Sequence, residues 1–208
     1  MKILILGANG MLGHQLWLEL GKYHIVYGTL RSKEKKLNHF VDENRRLIND
    51  LHAENISELE DIIKKHKVDV IINCIGIVKQ IEDSRNHRLS ILVNSLFPHQ
   101  VASISGEAKV IQISTDCVFS GNKGNYRELD FADANDLYGR TKYLGEIDYD
   151  GHLTIRTSIV GHELNTSHSL FDWFLSREGK VDGYTKALYS GLTTLELSKE
   201  IKQIIESH

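Results

Sequence analysis

Two patterns of apolar residues alternate along this chain. Short, nearly continuous apolar runs recur at Lys2–Leu6 (KILIL), His24–Leu30 (HIVYGTL), Val68–Cys74 (VDVIINC), Lys109–Ser114 (KVIQIS) and His152–Ser158 (HLTIRTS). Runs of that length with few polar interruptions predict strands covered on both faces. Arg46–Asn49 predicts a further short strand ending at Asp50-Leu51. Between the runs the spacing changes to that of a helix. Met11, Leu12, Leu16 and Leu20 share one helical face. Ser57-Glu58-Leu59-Glu60 is a capping-box pattern opening a helix to about Lys67. Leu89, Leu92, Val93 and Leu96 mark a long helical stretch over Ser84–Ser105, which Pro98, the only proline, is expected to kink or divide. Leu137–Tyr149 is expected to be helical.

Strands alternating with helices predict an α/β fold, a doubly wound parallel sheet (Rossmann) with right-handed crossovers. Residues 33–45 are polar and read as surface. Thr115–Asp136 is a long loop, and such loops in compact domains are usually functional. Further on, Ser169–Arg177 predicts a helix, Lys186–Ser190 a short strand, and Thr193-Thr194-Leu195-Glu196 a capping box opening a last helix to Glu206. The expected division is a main sheet domain over 1–158 and a small lobe over 159–208, its last strand and helix packed on the same domain. There is no internal repeat, linker or low-complexity segment.

The turn after the first strand changes this from a fold to a candidate site. Gly7, Gly10 and Gly13 follow one another at three-residue steps in GANGMLG. A buried strand turning on glycines into a helix points backbone N–H groups and the positive end of the helix dipole at one place, which suits a pyrophosphate. The spacing is G-x-x-G-x-x-G rather than the commoner G-x-G-x-x-G, and the alternative is a turn that binds nothing. After the second strand, where a carboxylate would hold the 2′-hydroxyl of an NAD ribose, the chain reads Thr29-Leu30-Arg31-Ser32-Lys33. Arg31 suits a 2′-phosphate, so NADP is expected over NAD. A solvated basic loop is the alternative, since Lys35 and Lys36 extend the run.

A second cluster lies one loop after the fifth strand. Tyr138 and Lys142 share a helix face at i, i+4. An ammonium beside a phenol is expected to lower its pKa, which suits proton transfer. Thr115, at the strand end, is placed to hydrogen-bond the same substrate oxygen.

Composition adds limits. Of 208 residues, 41% are hydrophobic and 25% charged, ordinary for one globular core, and the net charge of −3 gives no sign of a nucleic-acid binder. No apolar run reaches membrane-spanning length. The N-terminus reads directly as a strand without a signal-peptide pattern, and Cys74 and Cys117 are the only cysteines, so a cytoplasmic location with free thiols is expected. The chain has eleven histidines, but His162-Glu163 and His168 do not make H-E-x-x-H, and no metal is expected.

GANGMLG, STDCVFSG (Ser114–Gly121) and YGRTKYLGE (Tyr138–Glu146), in that order, resemble the extended short-chain dehydrogenase/reductases. STD-x-VF-x-G is similar in particular to their dTDP-4-dehydrorhamnose reductase branch. The resemblance covers nearly the whole chain. It implies NADPH-dependent reduction of a 4-keto nucleotide-activated deoxysugar for surface polysaccharide assembly. Tyr138 would protonate the alkoxide with Thr115 hydrogen-bonded to it, and Lys142 would bind the nicotinamide ribose. It implies a cofactor turn of Gly7, Asn9, Gly10, Met11, Leu12 and Gly13, with Asp50 and Leu51 at the adenine and Cys74, Ile75 and Gly76 beneath the ribose and nicotinamide. Asp116 and Arg156 fall at expected substrate contacts; for Arg156 an ion pair with a loop carboxylate is the alternative. A homodimer through the helices flanking Tyr138 is a further possibility. Two departures stand out. Cys117 occupies a position where an aromatic is common, and the substrate lobe is curtailed. Alternatives are an epimerase or dehydratase of the same superfamily, though no Glu follows Asp116 as a dehydratase would require, and a cofactor-binding regulatory subunit without catalysis.

Overall fold

A computed structural model describes residues 1–79, 85–167 and 169–207. Ser84, the expected start of the long helix, and His168 lie outside the described residues. Six parallel strands form the main sheet: β1 (Lys2–Leu6), β2 (Ile25–Thr29), β3 (Arg45–Ile48), β4 (Val70–Asn73), β5 (Lys109–Thr115) and β6 (Leu153–Thr157), in the order β3-β2-β1-β4-β5-β6. That order reverses between β1 and β4, which leaves a crevice beyond their carboxyl ends.

Alternation along β1 shows why the central strands are apolar throughout. Ile3 and Ile5 point into one core with Leu16, Trp17 and Leu20 of α1 (Met11–Leu20) and Leu197 and Ile201 of α8 (Thr194–Ser207). Leu4 and Leu6 point into the other, with Leu59 and Ile63 of α3 (Ile56–His66) and Phe97 and Val101 of α5 (Phe97–Ile104). Helices cover both faces, so residues 3–6 of β1 and all of β4 are buried whichever way they point. The last helix packs on α1, which ties the C-terminal segment to the sheet domain. Among the described residues, no helix is long and apolar enough to cross a membrane.

Several boundaries differ from expectation for identifiable reasons. Residues 33–45 contain a short helix, α2 (Lys35–Asn38), capped by the Glu34 side chain and anchored by buried Leu37. The cap of α3 is Asn55 rather than Ser57. The long helix is α4 (His87–Ser90), a π-helical segment (Ile91–Leu96) and α5 in continuous succession. Pro98 falls in the first turn of α5, where its missing N–H is tolerated, and the wide π turn comes directly before it. Helix α6 (Leu137–Leu144) stops short of Tyr149 because Gly145 meets the neighbouring helix: a Cβ there would lie 1.9 Å from the Asn94 carbonyl oxygen.

Residues 186–190 form no strand. Pairing begins after Gly191, where a Cβ would lie 2.6 Å from the Ser158 carbonyl oxygen. From there β8 (Leu192–Thr193) runs parallel to β7 (Ile159–Val160). Thr193 caps α8 as its capping-box pattern predicts, accepting from the Glu196 N–H at 3.1 Å. Helix α7 (Leu170–Leu175) lies between β7 and β8 in the chain.

Candidate active site

The turn after β1 is built by two glycines that admit no side chain. Gly7 adopts φ +80°, and a Cβ on Gly13 would lie 2.1 Å from the Gly7 carbonyl oxygen. Helix α1 can therefore start tight against the strand end. Gly10 caps it with no side chain, and no acidic residue occupies its first turn. The opening amides of α1 thus meet no local carboxylate, and the dipole favours an anion.

These residues line a cavity of about 540 Å³. Gly10, Met11, Leu12 and Gly13 form one part of its wall, and Cys74, Ile75 and Gly76 another. Thr115, Tyr138 and Lys142 form a third. Two regions distant in sequence, the glycine turn and the tyrosine helix, therefore share one crevice.

Buried polar groups hold the walls in place. Asn94, 1% exposed, accepts from the Ile77 N–H at 2.8 Å and donates to the Ile77 carbonyl at 3.0 Å. It also donates to the Thr141 hydroxyl at 3.3 Å, which joins the strip after β4 to the tyrosine helix. Asp136 caps α6 by accepting from the Gly139 N–H at 3.1 Å, and its other carboxylate oxygen meets Lys79 Nζ at 3.1 Å. The Lys79 ammonium lies 5.5 Å from the centroid of the Tyr138 ring.

The electrostatics correct one expectation. Tyr138 is pushed up to about 12, first by burial, while the Thr115 hydroxyl pulls the other way and Cys117, Asp116 and Asp136 add to the rise. The net shift is upward, opposite to the lowering expected of Lys142. The Lys142 ammonium is buried and donates to the Ile113 carbonyl at 2.7 Å, and burial holds it down to about 8. Burial also pushes the Cys74 thiol up to about 12. At neutral pH the phenol is a stored proton and the lysine a cation under strain.

That strain has a measurable consequence. The charged form of Lys142 is disfavoured by burial, so its folded value lies below its ordinary 10.5. Between about pH 8 and 10.5 the unfolded chain holds the extra proton, and stability from this group rises with pH. Lys142→Met is expected to be more stable than the parent at pH 7 by about 1 kcal/mol. Thermal melts at pH 7 and pH 10 check this: the advantage should shrink at the higher pH.

Other expected site residues lie outside this cavity. Arg31 and Asp50 are exposed beyond the ends of β2 and β3, and Leu51 is a core residue donating its N–H to the Leu30 carbonyl at 3.0 Å. Gly7 and Asn9 shape the turn without lining the cavity. Asp116 stands beside it, its Oδ1 accepting from the Ser158 hydroxyl at 2.7 Å. Arg156 forms the ion pair that was its alternative reading. Its Nε and Nη2 donate to the two Glu146 carboxylate oxygens at 2.9 and 2.7 Å, and Nη1 to the Glu128 carbonyl at 3.0 Å. It does not line the cavity.

Lys79, Cys117, Ser158, Glu163 and Tyr189 also line the cavity, and no local motif marks most of them. Asn94 carried a signal: an amide between apolar neighbours on a helix needs a buried partner. Among the described residues, no group of three His, Cys, Asp or Glu side chains is placed to hold a metal.

Comparison with known proteins agrees with this architecture. A hypothetical dTDP-4-dehydrorhamnose reductase from Sulfolobus tokodaii superposes with a TM-score of 0.81 at 29% identity, over 99% of this chain and 72% of that one. A dTDP-4-dehydrorhamnose reductase from Bacillus anthracis, solved with NADP, gives 0.76 at 26% identity, over 99% and 70%. The spore coat polysaccharide biosynthesis protein SpsK of Bacillus subtilis is 27% identical over 77% of this chain and 54% of its own length. The methionine adenosyltransferase 2 subunit beta of Bos taurus is 30% identical over 70% of this chain and 41% of its own. The chain spans about half the length of the curated relatives it matches. The family description that fits it, RmlD substrate binding domain, covers residues 1–177, from the glycine turn through the tyrosine helix to the end of α7, and the chain belongs to that family.

Proposed function

We propose that this chain is an NADP-dependent reductase of a 4-keto nucleotide-activated deoxysugar, acting in surface polysaccharide biosynthesis. The observation that carries the reading is the convergence of Thr115, Tyr138 and Lys142 on the cavity bounded by the glycine turn. The residues fit the dinucleotide: the Gly7 and Gly13 geometry leaves an uncapped, uncharged helix start for a pyrophosphate. Bound there, the reduced nicotinamide would supply a hydride to the ketone carbon. The chain's own task is the proton and the alignment. Tyr138, protonated at neutral pH, donates to the developing alkoxide, and Thr115 donates a hydrogen bond to the same oxygen. Lys142, held at the cavity wall by Ile113, would contact the nicotinamide ribose and place positive charge near the phenolate left behind. Cys74, Ile75 and Gly76 form the floor.

Residues 1–158 are proposed to bind the cofactor and 159–208 the sugar. A cytoplasmic location is proposed with this function. The exposed apolar side chains of Ile91, Leu96, Tyr143 and Leu144, on the helices flanking Tyr138, support a homodimer.

The choice of NADP rests on Arg31 with Lys33, beyond β2. Lys36 is engaged elsewhere, donating to the Leu164 carbonyl. Arg31→Ala is expected to weaken NADPH by about tenfold while changing NADH by less than about twofold, as loss of a charge-assisted phosphate contact implies. Titration of both cofactors checks it; equal weakening would remove the 2′-phosphate contact.

A second reading, a cofactor-binding subunit without turnover, is favoured by the similarity to a methionine adenosyltransferase subunit. NADPH oxidation measured with a panel of 4-keto nucleotide sugars separates the two. Turnover supports the reductase. Tight NADPH binding with no turnover of any sugar supports the subunit.

A further inference from the structure

Ser158 stands between β6 and β7, in the wall of the cavity. Its hydroxyl donates to Asp116 Oδ1 at 2.7 Å. The Thr115 hydroxyl donates to the same oxygen, but at 3.3 Å, while accepting from the Cys117 N–H at 3.1 Å. Two hydroxyls thus share one carboxylate oxygen, and each donor weakens the other's bond to it. The Ser158 bond has the length of a strong charge-assisted contact; the Thr115 bond is long for its type. A hydroxyl has one proton to give. If Asp116 takes that of Thr115, none is left for an oxygen entering the cavity.

The Ser158 side is braced from the small lobe. The Tyr189 phenol, which also lines the cavity, lies on that side. It packs against Gly191, where a Cβ would lie 2.3 Å from the phenol oxygen. Gly191 in turn sits against the Ser158 carbonyl, next to the β7–β8 pairing. The small lobe therefore packs against the segment that carries Ser158.

We infer that Ser158 is a positioning residue: its shorter bond to Asp116 Oδ1 weakens the Thr115 bond to the same oxygen, so that the Thr115 proton turns more readily to the substrate oxygen. This rests on the reductase reading, since it concerns the residue that meets the ketone in that reading. It adds a route by which the small lobe, through Tyr189 and Gly191, bears on the reacting atoms.

The test is NADPH turnover with a panel of 4-keto nucleotide sugars by the full chain and by Ser158→Ala, Ser158→Thr, Asp116→Asn and the Asp116→Asn/Ser158→Ala pair. Ser158→Ala is expected to lower kcat by about tenfold, less than the roughly 100-fold or more that outright loss of an aligned donor costs, because the Thr115 hydroxyl remains, with NADPH affinity changed by less than about twofold. Ser158→Thr, which keeps the hydroxyl, is expected to restore kcat to within about threefold. In the Asp116→Asn background the acceptor is a neutral amide oxygen with a weaker pull on the Thr115 proton, so Ser158→Ala should lower kcat by less than about threefold, a coupling that a merely structural role would not produce. Parent-like turnover by Ser158→Ala, failure of Ser158→Thr to restore it, or the same loss in both backgrounds would overturn the inference while leaving the reductase reading intact. No turnover by the parent chain would overturn that reading, and the inference with it.

Discussion

Tyr138→Phe is expected to bind NADPH as the parent chain does and to lose turnover by about 100-fold or more, the range for removing a positioned general acid. The expectation follows from the state of the phenol. Burial raises Tyr138 to about 12, so at neutral pH it holds its proton; in the proposed reaction a stronger base, the alkoxide, forms beside it. Phenylalanine keeps the ring and its packing and removes only the transferable proton. The loss should therefore fall on kcat, with the NADPH dissociation constant nearly constant. Steady-state turnover with a reducible nucleotide sugar, paired with NADPH titration, checks both halves. Unchanged kcat would take Tyr138 out of the chemistry.

Gly13→Ala is expected to damage fold and site together. The added Cβ would lie 2.1 Å from the Gly7 carbonyl oxygen, 2.9 Å from its carbon and 3.0 Å from the Ala8 Cα. All three are backbone atoms at the strand end, so no side chain can swing aside. Helix α1 must move away from β1, opening the core around Leu12 and Leu16. Overpacking of this kind costs about 3 kcal/mol. In a chain of this length that lowers Tm by about 6–12 °C. The same shift displaces the opening amides of α1, and NADPH affinity should fall by at least about tenfold. Gly10→Ala is the contrast: its Cβ would lie 3.4 Å from the nearest atom, again the Gly7 carbonyl oxygen, so it should melt close to the parent. Melting curves of the two variants, with NADPH titration of Gly13→Ala, test the distinction.

The parts of the site that were legible in the sequence are those set by local chemistry. The β1 turn announces itself because a buried strand, glycines and a helical period follow one another within Lys2–Leu20. Tyr138 and Lys142 are legible because helical spacing alone puts them on one face. That both clusters reach one cavity follows from strand order, since β1, β4 and β5 are neighbours in the sheet. What was not legible depends on long-range packing. Ser158 meets the site where β6 ends, and Tyr189 where Gly191 lets the chain come in against β7. The environment of Lys142 was misjudged for the same reason. Spacing places the ammonium near the phenol, but the Ile113 carbonyl, on another element, holds it. Arg156 shows the converse. Its residue type suited a substrate contact, and only the fold reveals the Glu146 carboxylate that engages it on two nitrogens.

The most direct test of the central claim is a crystal structure of the chain with NADP bound. The account predicts the pyrophosphate at the amides of Met11, Leu12 and Gly13, and the nicotinamide ring between the Cys74–Gly76 strip and the Tyr138 hydroxyl. A dinucleotide bound elsewhere, or a nicotinamide directed away from Tyr138 and Thr115, would contradict it.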